Sequence, residues 1–112
     1  MTLDEYQTGA LATARFPDAA RVLYPALKLA GESGEVAEKL GKLMRDEGWL
    51  PGVALSDAQR DALVKELGDV LWYVAVLARD LGVPLETVAA TNLAKLADRA
   101  ARGVIGGSGD ER

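Results

Sequence analysis

The stretch KELGDVLWYVAVLARDL, residues 65–81, decides the fold of this chain. Apolar side chains recur along it at the spacing of an α-helix, and its nine-residue segment VLWYVAVLA carries no charge. A helix that is apolar on every side has to be buried on every side. A chain of 112 residues with a few short helices has too little surface to bury this helix on every side. We therefore expect the helix to pack against a second copy of the chain.

Start and stop signals divide the rest of the chain into helices as well, which predicts an all-α fold without strands. Phe16-Pro17 stops the first helix because a residue before proline avoids the α region. Gly48 ends the second helix, and Ser56 is a suitable N-cap for the third. The four predicted helices cover residues 3–15, 25–46, 57–81 and 84–102. We predict a four-helix chain that forms a helical bundle completed by oligomerisation, as a homodimer or a homotetramer.

A single domain, residues 1–102, is followed by the glycine-rich tail GVIGGSGDER, residues 103–112. The composition of this tail favours disorder. The alternative is that the tail folds over a ligand and brings Arg102 or Arg112 near a phosphate group.

The composition argues against several classes of function. With a net charge of −4 and a pI near 4.8, the chain lacks the basic surface expected of a nucleic-acid or acidic-membrane binder. No apolar run reaches the length of a membrane span, and the acidic N-terminus does not resemble a secretory signal. We expect a cytoplasmic protein without a nucleic-acid or membrane partner.

The absence of cysteine and histidine restricts the chemistry further. Without them a metal site consists of oxygen ligands alone, which favours Mg²⁺, Mn²⁺ or Ca²⁺ over zinc. The side chain that most often acts as a general base near neutral pH is also missing. Any hydrolysis therefore depends on a carboxylate or on a metal-activated water.

Two pairs of carboxylates are the candidate metal ligands. Glu32 and Glu35 lie in GESGEVAEK, and Glu66 and Asp69 lie in KELGDVLWYV. Each pair is spaced i, i+3, so its members share one face of a helix and repel each other. A hard divalent cation between the two helices would explain why two such pairs occur.

The alternative is that these acids are ordinary solvated residues. Glu35–Lys39 and Glu38–Lys42 have the favourable i, i+4 spacing of ion pairs within a helix. Glu66 has no basic residue at that spacing, and it lies at the edge of the apolar arc, where a carboxylate needs a partner. The metal-site interpretation therefore explains Glu66 better.

Glycines beside the two pairs support the same interpretation. Gly31, Gly34 and Gly68 all fall inside predicted helices, where a glycine costs about 0.8–1 kcal/mol relative to alanine. Their position next to the carboxylates predicts that the two helices approach each other closely there.

A cationic face on the fourth helix is the candidate ligand-binding surface. Asn92, Lys95 and Arg99 are spaced i, i+3, i+7 and therefore line one face. Beside a metal–carboxylate cluster, such a face suits a ligand with several negative oxygens, such as a polyphosphate. A solvated basic face is the alternative interpretation. Tyr73 follows Asp69 by one turn, which places it on the same side of its helix as the carboxylates.

The segments LAGESGEVAEK, KELGDVLWYV and NLAKLADRAARG, with the GSGDER ending, resemble the MazG-like nucleotide pyrophosphohydrolases. This all-α group is related to dimeric dUTPases and phosphoribosyl-ATP pyrophosphohydrolase. Its pattern is Glu-Glu-x-x-Glu followed by Glu-x-x-Asp, and Gly31 replaces the first glutamate here. The resemblance covers most of the chain.

The resemblance implies that a nucleoside triphosphate is cleaved to a monophosphate and pyrophosphate, as in nucleotide pool clean-up. The implied cofactor is Mg²⁺, with Mn²⁺ as the alternative. The implied metal ligands are Glu32, Glu35, Glu66 and Asp69, the base is Glu35 or Glu38, and the substrate contacts are Tyr73, Asn92, Lys95 and Arg99. A non-catalytic helical adaptor or sensor that binds metal or nucleotide is the alternative function, and a purely structural helical dimer is a third.

Overall fold

The computed structural model describes all 112 residues. It contains four α-helices, one short 3-10 helix (Asp18–Ala20) and no strand. The helices are α1 (Leu3–Leu11), α2 (Leu23–Glu47), α3 (Asp57–Asp80) and α4 (Leu85–Ala101). The prediction of a four-helix, all-α chain is confirmed. None of these helices combines the length and the apolar character that crossing a membrane requires.

The predicted helix ends of α2 and α3 are confirmed to within two residues. Gly48 takes a left-handed conformation, with a φ of +67°, and ends α2. Ser56 caps α3 together with Gln59, because the Ser56 hydroxyl accepts from the Gln59 N–H and the Gln59 side chain accepts from the Ser56 N–H.

The first helix ends at Leu11 and not at Arg15, so the sequence-based end was wrong. The indole N–H of Trp72 donates to the Ala10 carbonyl oxygen (3.1 Å) and to the Thr13 hydroxyl (2.9 Å). These two hydrogen bonds connect the C-terminal end of α1 to α3. The early end of α1 thus coincides with a contact between α1 and α3, which cannot be predicted from the local sequence.

Two contacts hold α2 and α3 as an antiparallel pair. At one end the Val22 N–H donates to the Asp80 carboxylate (2.9 Å), and at the other the Gln59 amide donates to the Glu47 carboxylate (2.7 Å). Burial alone would raise the pKa of Asp80, but the Val22 N–H and the Arg79 guanidinium together lower it. The Asp80 carboxylate, whose side chain is fully buried, is therefore an ionised anchor between the end of α3 and the start of α2.

The first helix supplies the N-terminal caps of α4. Pro84 precedes α4 and offers no side-chain cap. Instead, the Gln7 side chain accepts from the Leu85 N–H (3.1 Å), and the Asp4 carboxylate accepts from the Glu86 N–H (3.0 Å). The Gln7 amide also donates to the carbonyl oxygens of Ala75 (3.0 Å) and Val83 (3.2 Å). Gln7 thus joins α1, α3 and α4.

Much of the apolar surface lies outside the core of a single chain. Only eight of the 112 residues are buried. On α3, burial is confined to the C-terminal part, while Val64 and Leu67 are 57% and 54% exposed. The radius of gyration is 17.0 Å, whereas a compact domain of this length has about 13 Å. The all-round burial expected for α3 is therefore not achieved within one chain, and its burial against a second copy stays a prediction.

The tail is irregular but is held against α4, so the expectation of disorder is not met. Arg99 Nη2 donates to the Asp110 carbonyl oxygen (2.8 Å), and Arg102 Nη2 donates to the carbonyl oxygen of Arg112 (2.7 Å). Glycines at positive φ allow the chain to turn back towards the helix, among them Gly107 at +96°.

Candidate metal centre

The register of the α2–α3 pair brings three of the predicted ligands together. Glu32 lies ten residues after Val22, and Asp69 lies eleven residues before Asp80. Val22 and Asp80 are hydrogen-bonded to each other. Because the rise per residue is the same in two antiparallel helices, Glu32 and Asp69 then lie at nearly the same level. One carboxylate oxygen from each of Glu32, Glu66 and Asp69 lies within 4.8 Å of the other two.

This cluster has the chemistry of a site for a hard cation. A Mg²⁺ ion with ligands at about 2.1 Å holds oxygens at most about 4.2 Å apart. The observed separations, which reach at most 4.8 Å, would close to that range with small side-chain rotations. Three anionic oxygens at this spacing repel each other, and of the chain's own cations only Lys39 pairs with one of them, Glu66. The residues present therefore fit a divalent ion.

The remaining predicted acids lie outside the cluster. Glu35 is exposed on α2, one turn beyond Glu32, and its roles as ligand and base stay predictions. Glu38 pairs with Lys42 at 3.6 Å, as the i, i+4 spacing predicted. The Glu35–Lys39 pair, whose i, i+4 spacing supported the alternative of ordinary solvated residues, does not form. Lys39 instead reaches across to Glu66, at 3.2 Å.

The glycines do not mark a close approach of the two helices. A Cβ atom added at Gly31, Gly34 or Gly68 would meet no atom within 4 Å apart from its own helix backbone and chain neighbours, and all three residues are exposed. The predicted close approach of α2 and α3 at these glycines is therefore wrong within one chain. The helices are linked at this level by long side chains, such as those of Lys39 and Glu66, and these need no glycine.

A cavity of about 420 Å³ opens beside the carboxylates, lined by Thr13, Glu32, Asp69, Trp72 and Tyr73. Tyr73, which was predicted to contact the substrate, lines this cavity beside Glu32 and Asp69, and its contact with a substrate stays a prediction. Burial, and then a hydrogen bond with Tyr24, raise the pKa of Tyr73 to about 12, so its hydroxyl stays protonated. Sequence reasoning missed Trp72 and Thr13. Trp72 could have been identified from its spacing, three residues after Asp69. Thr13 could not, because only the tertiary fold brings it to this cavity.

Aromatic rings extend from this cavity towards the start of α2. Trp72 and Tyr73 meet edge to face, with ring centroids 4.8 Å apart. Tyr24 lies 6.3 Å from Tyr73, and Phe16 stacks on Tyr24 at 4.9 Å. An aromatic surface next to a carboxylate cluster suits a ligand that has a planar ring and an anionic group.

The cationic face of α4 is not brought to the carboxylates within one chain. Asn92 and Lys95 line a different cavity of about 510 Å³, together with Val83, Thr87, Val88 and Thr91. Arg99 is only 4% exposed and is covered by the tail. The Asp110 carboxylate lies 3.5 Å from the Lys95 ammonium and 3.4 Å from the Arg99 guanidinium. The Lys95 ammonium and the Arg99 guanidinium hold the pKa of Asp110 below its usual value.

Comparisons with known proteins identify the family of the chain. The model of the MazG nucleotide pyrophosphohydrolase domain matches residues 24–103, which include α3, α4 and all of α2 except its first residue. The Gene 37 protein of Mycobacterium phage L5 is 47% identical over the full length of both chains. The phosphoribosyl-ATP pyrophosphatase of Methylobacterium nodulans is 36% identical over 70% of this chain and 75% of its own length. No solved structure matches. The chain therefore belongs to the MazG nucleotide pyrophosphohydrolase family, whose members are hydrolases.

Proposed function

We propose that this protein is a Mg²⁺-dependent enzyme that hydrolyses nucleoside or deoxynucleoside triphosphates between the α and β phosphates. One water is consumed, and the products are a nucleoside monophosphate and pyrophosphate. The observation that carries the proposal is the convergence of Glu32, Glu66 and Asp69 beside a cavity of about 420 Å³ with aromatic walls. The volume falls in the usual range of small-molecule sites, about 300–1,000 Å³.

The carboxylates have two roles in this proposal. Glu32, Glu66 and Asp69, with Glu35 after a side-chain rotation, hold the ion. When bound, the ion would offset charge on the phosphates and lower the pKa of a coordinated water. Glu35 is exposed and has no salt bridge, so it is free to accept the proton of the attacking water. Glu38 is the alternative base, although its pairing with Lys42 makes it the weaker acceptor.

The cavity wall provides the contacts for the nucleoside. Tyr73 and Trp72 offer ring faces and edges on which a base can stack. The protonated Tyr73 hydroxyl can donate a hydrogen bond to the sugar or to a phosphate. The proposal covers all the common bases, and ribonucleotides as well as deoxyribonucleotides.

The phosphate-binding role of Asn92, Lys95 and Arg99 needs an oligomer. Within one chain Asn92 and Lys95 line a separate cavity, and Arg99 lies beneath the tail. We propose that α4 of one copy serves the carboxylates of another in a homodimer or homotetramer. The exposed apolar side chains of α3, such as Leu67, would be covered in the same assembly.

A panel of nucleotides tests the activity. We expect pyrophosphate release from at least one of the eight common NTPs and dNTPs with Mg²⁺ or Mn²⁺, and none with EDTA. Ion chromatography of the products distinguishes a monophosphate plus pyrophosphate from a diphosphate plus phosphate. Binding of metal and nucleotide without turnover of any substrate would favour the non-catalytic adaptor.

The assembly is tested by size-exclusion chromatography with light scattering. At micromolar concentration we expect at least twice the 11.8 kDa mass of the chain. Replacing Leu67 by glutamate on the exposed face of α3 should shift the mass towards that of the monomer, since a buried charge opposes association. The matched control is Leu50→Glu, in the exposed loop after α2. A wild-type protein that elutes as a monomer would contradict the proposed assembly.

A further inference from the structure

An ion pair crosses from α2 to α3 at the candidate metal centre. The Lys39 ammonium lies 3.2 Å from the Glu66 carboxylate, and the side chain of Glu66 is only 17% exposed. Of the three clustered acids, Glu66 alone has a salt bridge. Lys39 therefore provides the only direct cationic contact to the cluster from the chain itself.

A second lysine on the same helix provides an internal comparison. Lys42 lies three residues further along α2 and pairs with Glu38 at 3.6 Å. Both members of that pair are more than half exposed, and both belong to α2. The two lysines carry the same charge on the same helix, yet only Lys39 contacts a residue of the cluster.

An ammonium group and a divalent ion compete for the same carboxylate. An ion held by Glu66, Glu32 and Asp69 would approach the Glu66 oxygens to about 2.1 Å. The Lys39 ammonium, at 3.2 Å from Glu66 Oε1, would then lie close to a doubly positive ion. Two cations that share one partly desolvated carboxylate repel each other, so binding of the ion weakens the Lys39–Glu66 pair.

We propose that Lys39 is an exchangeable counter-ion of the cluster. In the metal-free protein it pairs with Glu66, offsets the repulsion among the three carboxylates and links α2 to α3. When a divalent ion binds, Lys39 leaves Glu66. Lys39 is thus a positioning residue, and it makes the affinity for metal lower than the carboxylates alone would give. The inference rests on the proposed function only in that the cluster is taken as a metal site.

Calorimetric titration of the metal-free protein with Mn²⁺ tests this exchange. We expect Lys39→Met to bind Mn²⁺ about three- to fivefold more tightly than the wild type, the upper part of the range for ion pairs that are not fully buried. Lys42→Met removes the same charge from the same helix, and its affinity should stay within about twofold of the wild type. Lys39→Gln, which keeps a polar side chain, should behave like Lys39→Met.

Thermal unfolding provides a readout that does not depend on calorimetry. Without metal, Lys39→Met should melt at a lower temperature than Lys42→Met, because only the first leaves the carboxylates uncompensated. Saturating Mn²⁺ should remove this difference. Equal Mn²⁺ affinity in Lys39→Met and Lys42→Met, or weaker binding in Lys39→Met, would overturn the proposal. If the wild type binds no Mn²⁺ at all, the metal site of the proposed function fails as well, so the two failures are distinguishable.

Discussion

Replacing Glu66 by Gln, or Asp69 by Asn, is expected to lower metal-dependent pyrophosphate release at least about a hundredfold, the effect of removing one group that stabilises a transition state. Each change keeps the size of the side chain and removes its negative charge. The cluster holds only three carboxylates within 4.8 Å of one another, so losing one weakens both the binding of the ion and its placement. Initial rates of pyrophosphate release at saturating Mg²⁺ measure the effect.

Asp61→Asn is the matched control for these two variants. Asp61 lies on the same helix as Glu66 and Asp69, is exposed and forms no salt bridge. Its replacement removes the same charge without touching the cluster, and its rate should stay near that of the wild type. Full activity in both Glu66→Gln and Asp69→Asn would remove the proposed site. Far-UV circular dichroism of each variant separates a loss of activity from a loss of fold.

The largest effect on stability is expected for Gln7→Met, at about 2–4 kcal/mol in the free energy of unfolding. Gln7 is buried, accepts from the Leu85 N–H and donates to the carbonyl oxygens of Ala75 and Val83. Methionine has a similar volume but cannot form these hydrogen bonds. The Leu85 N–H at the start of α4 would then be buried without a partner, because Pro84 offers no side-chain cap.

Urea unfolding followed by circular dichroism, at one fixed protein concentration, measures this loss. Thr8→Ala is the control, because Thr8 is adjacent and exposed, and its hydroxyl donates only to the Asp4 carbonyl oxygen within α1. We expect that variant to lie within about 0.5 kcal/mol of the wild type. A similarly small change in Gln7→Met would show that α1 does not hold α3 and α4 together.

Features with local causes were predicted correctly from the sequence. Ser56 caps α3, and Gly48 takes the left-handed conformation that ends α2. Each depends on residues within one helical turn, where the chemistry of a side chain determines the backbone. Spacing alone also singled out the two carboxylate pairs, because i, i+3 neighbours share a helix face in any tertiary context. Glu32, Glu66 and Asp69 lie together in the structure, whereas Glu35 lies outside the cluster.

Features that depend on partners far along the chain were missed or predicted wrongly. The glycines predicted a close approach, yet Gly31, Gly34 and Gly68 are exposed. Spacing also paired Lys39 with Glu35, although Lys39 contacts Glu66. In both cases the sequence shows which residues lie on the same face of a helix, but not which residues of another helix that face contacts.

The sequence by itself thus determined the four helices, their ends at Gly48 and Ser56, and the acid-only chemistry of the candidate site. Only the tertiary structure decided that Glu32 meets Glu66 and Asp69, through the register set by the Val22–Asp80 bond. It also decided that Trp72 lines the cavity beside them. The physical reason is that helix formation depends on neighbours a few residues apart, whereas a site between helices depends on how the two helices are aligned. Here a contact between residues 58 positions apart contributes to that alignment.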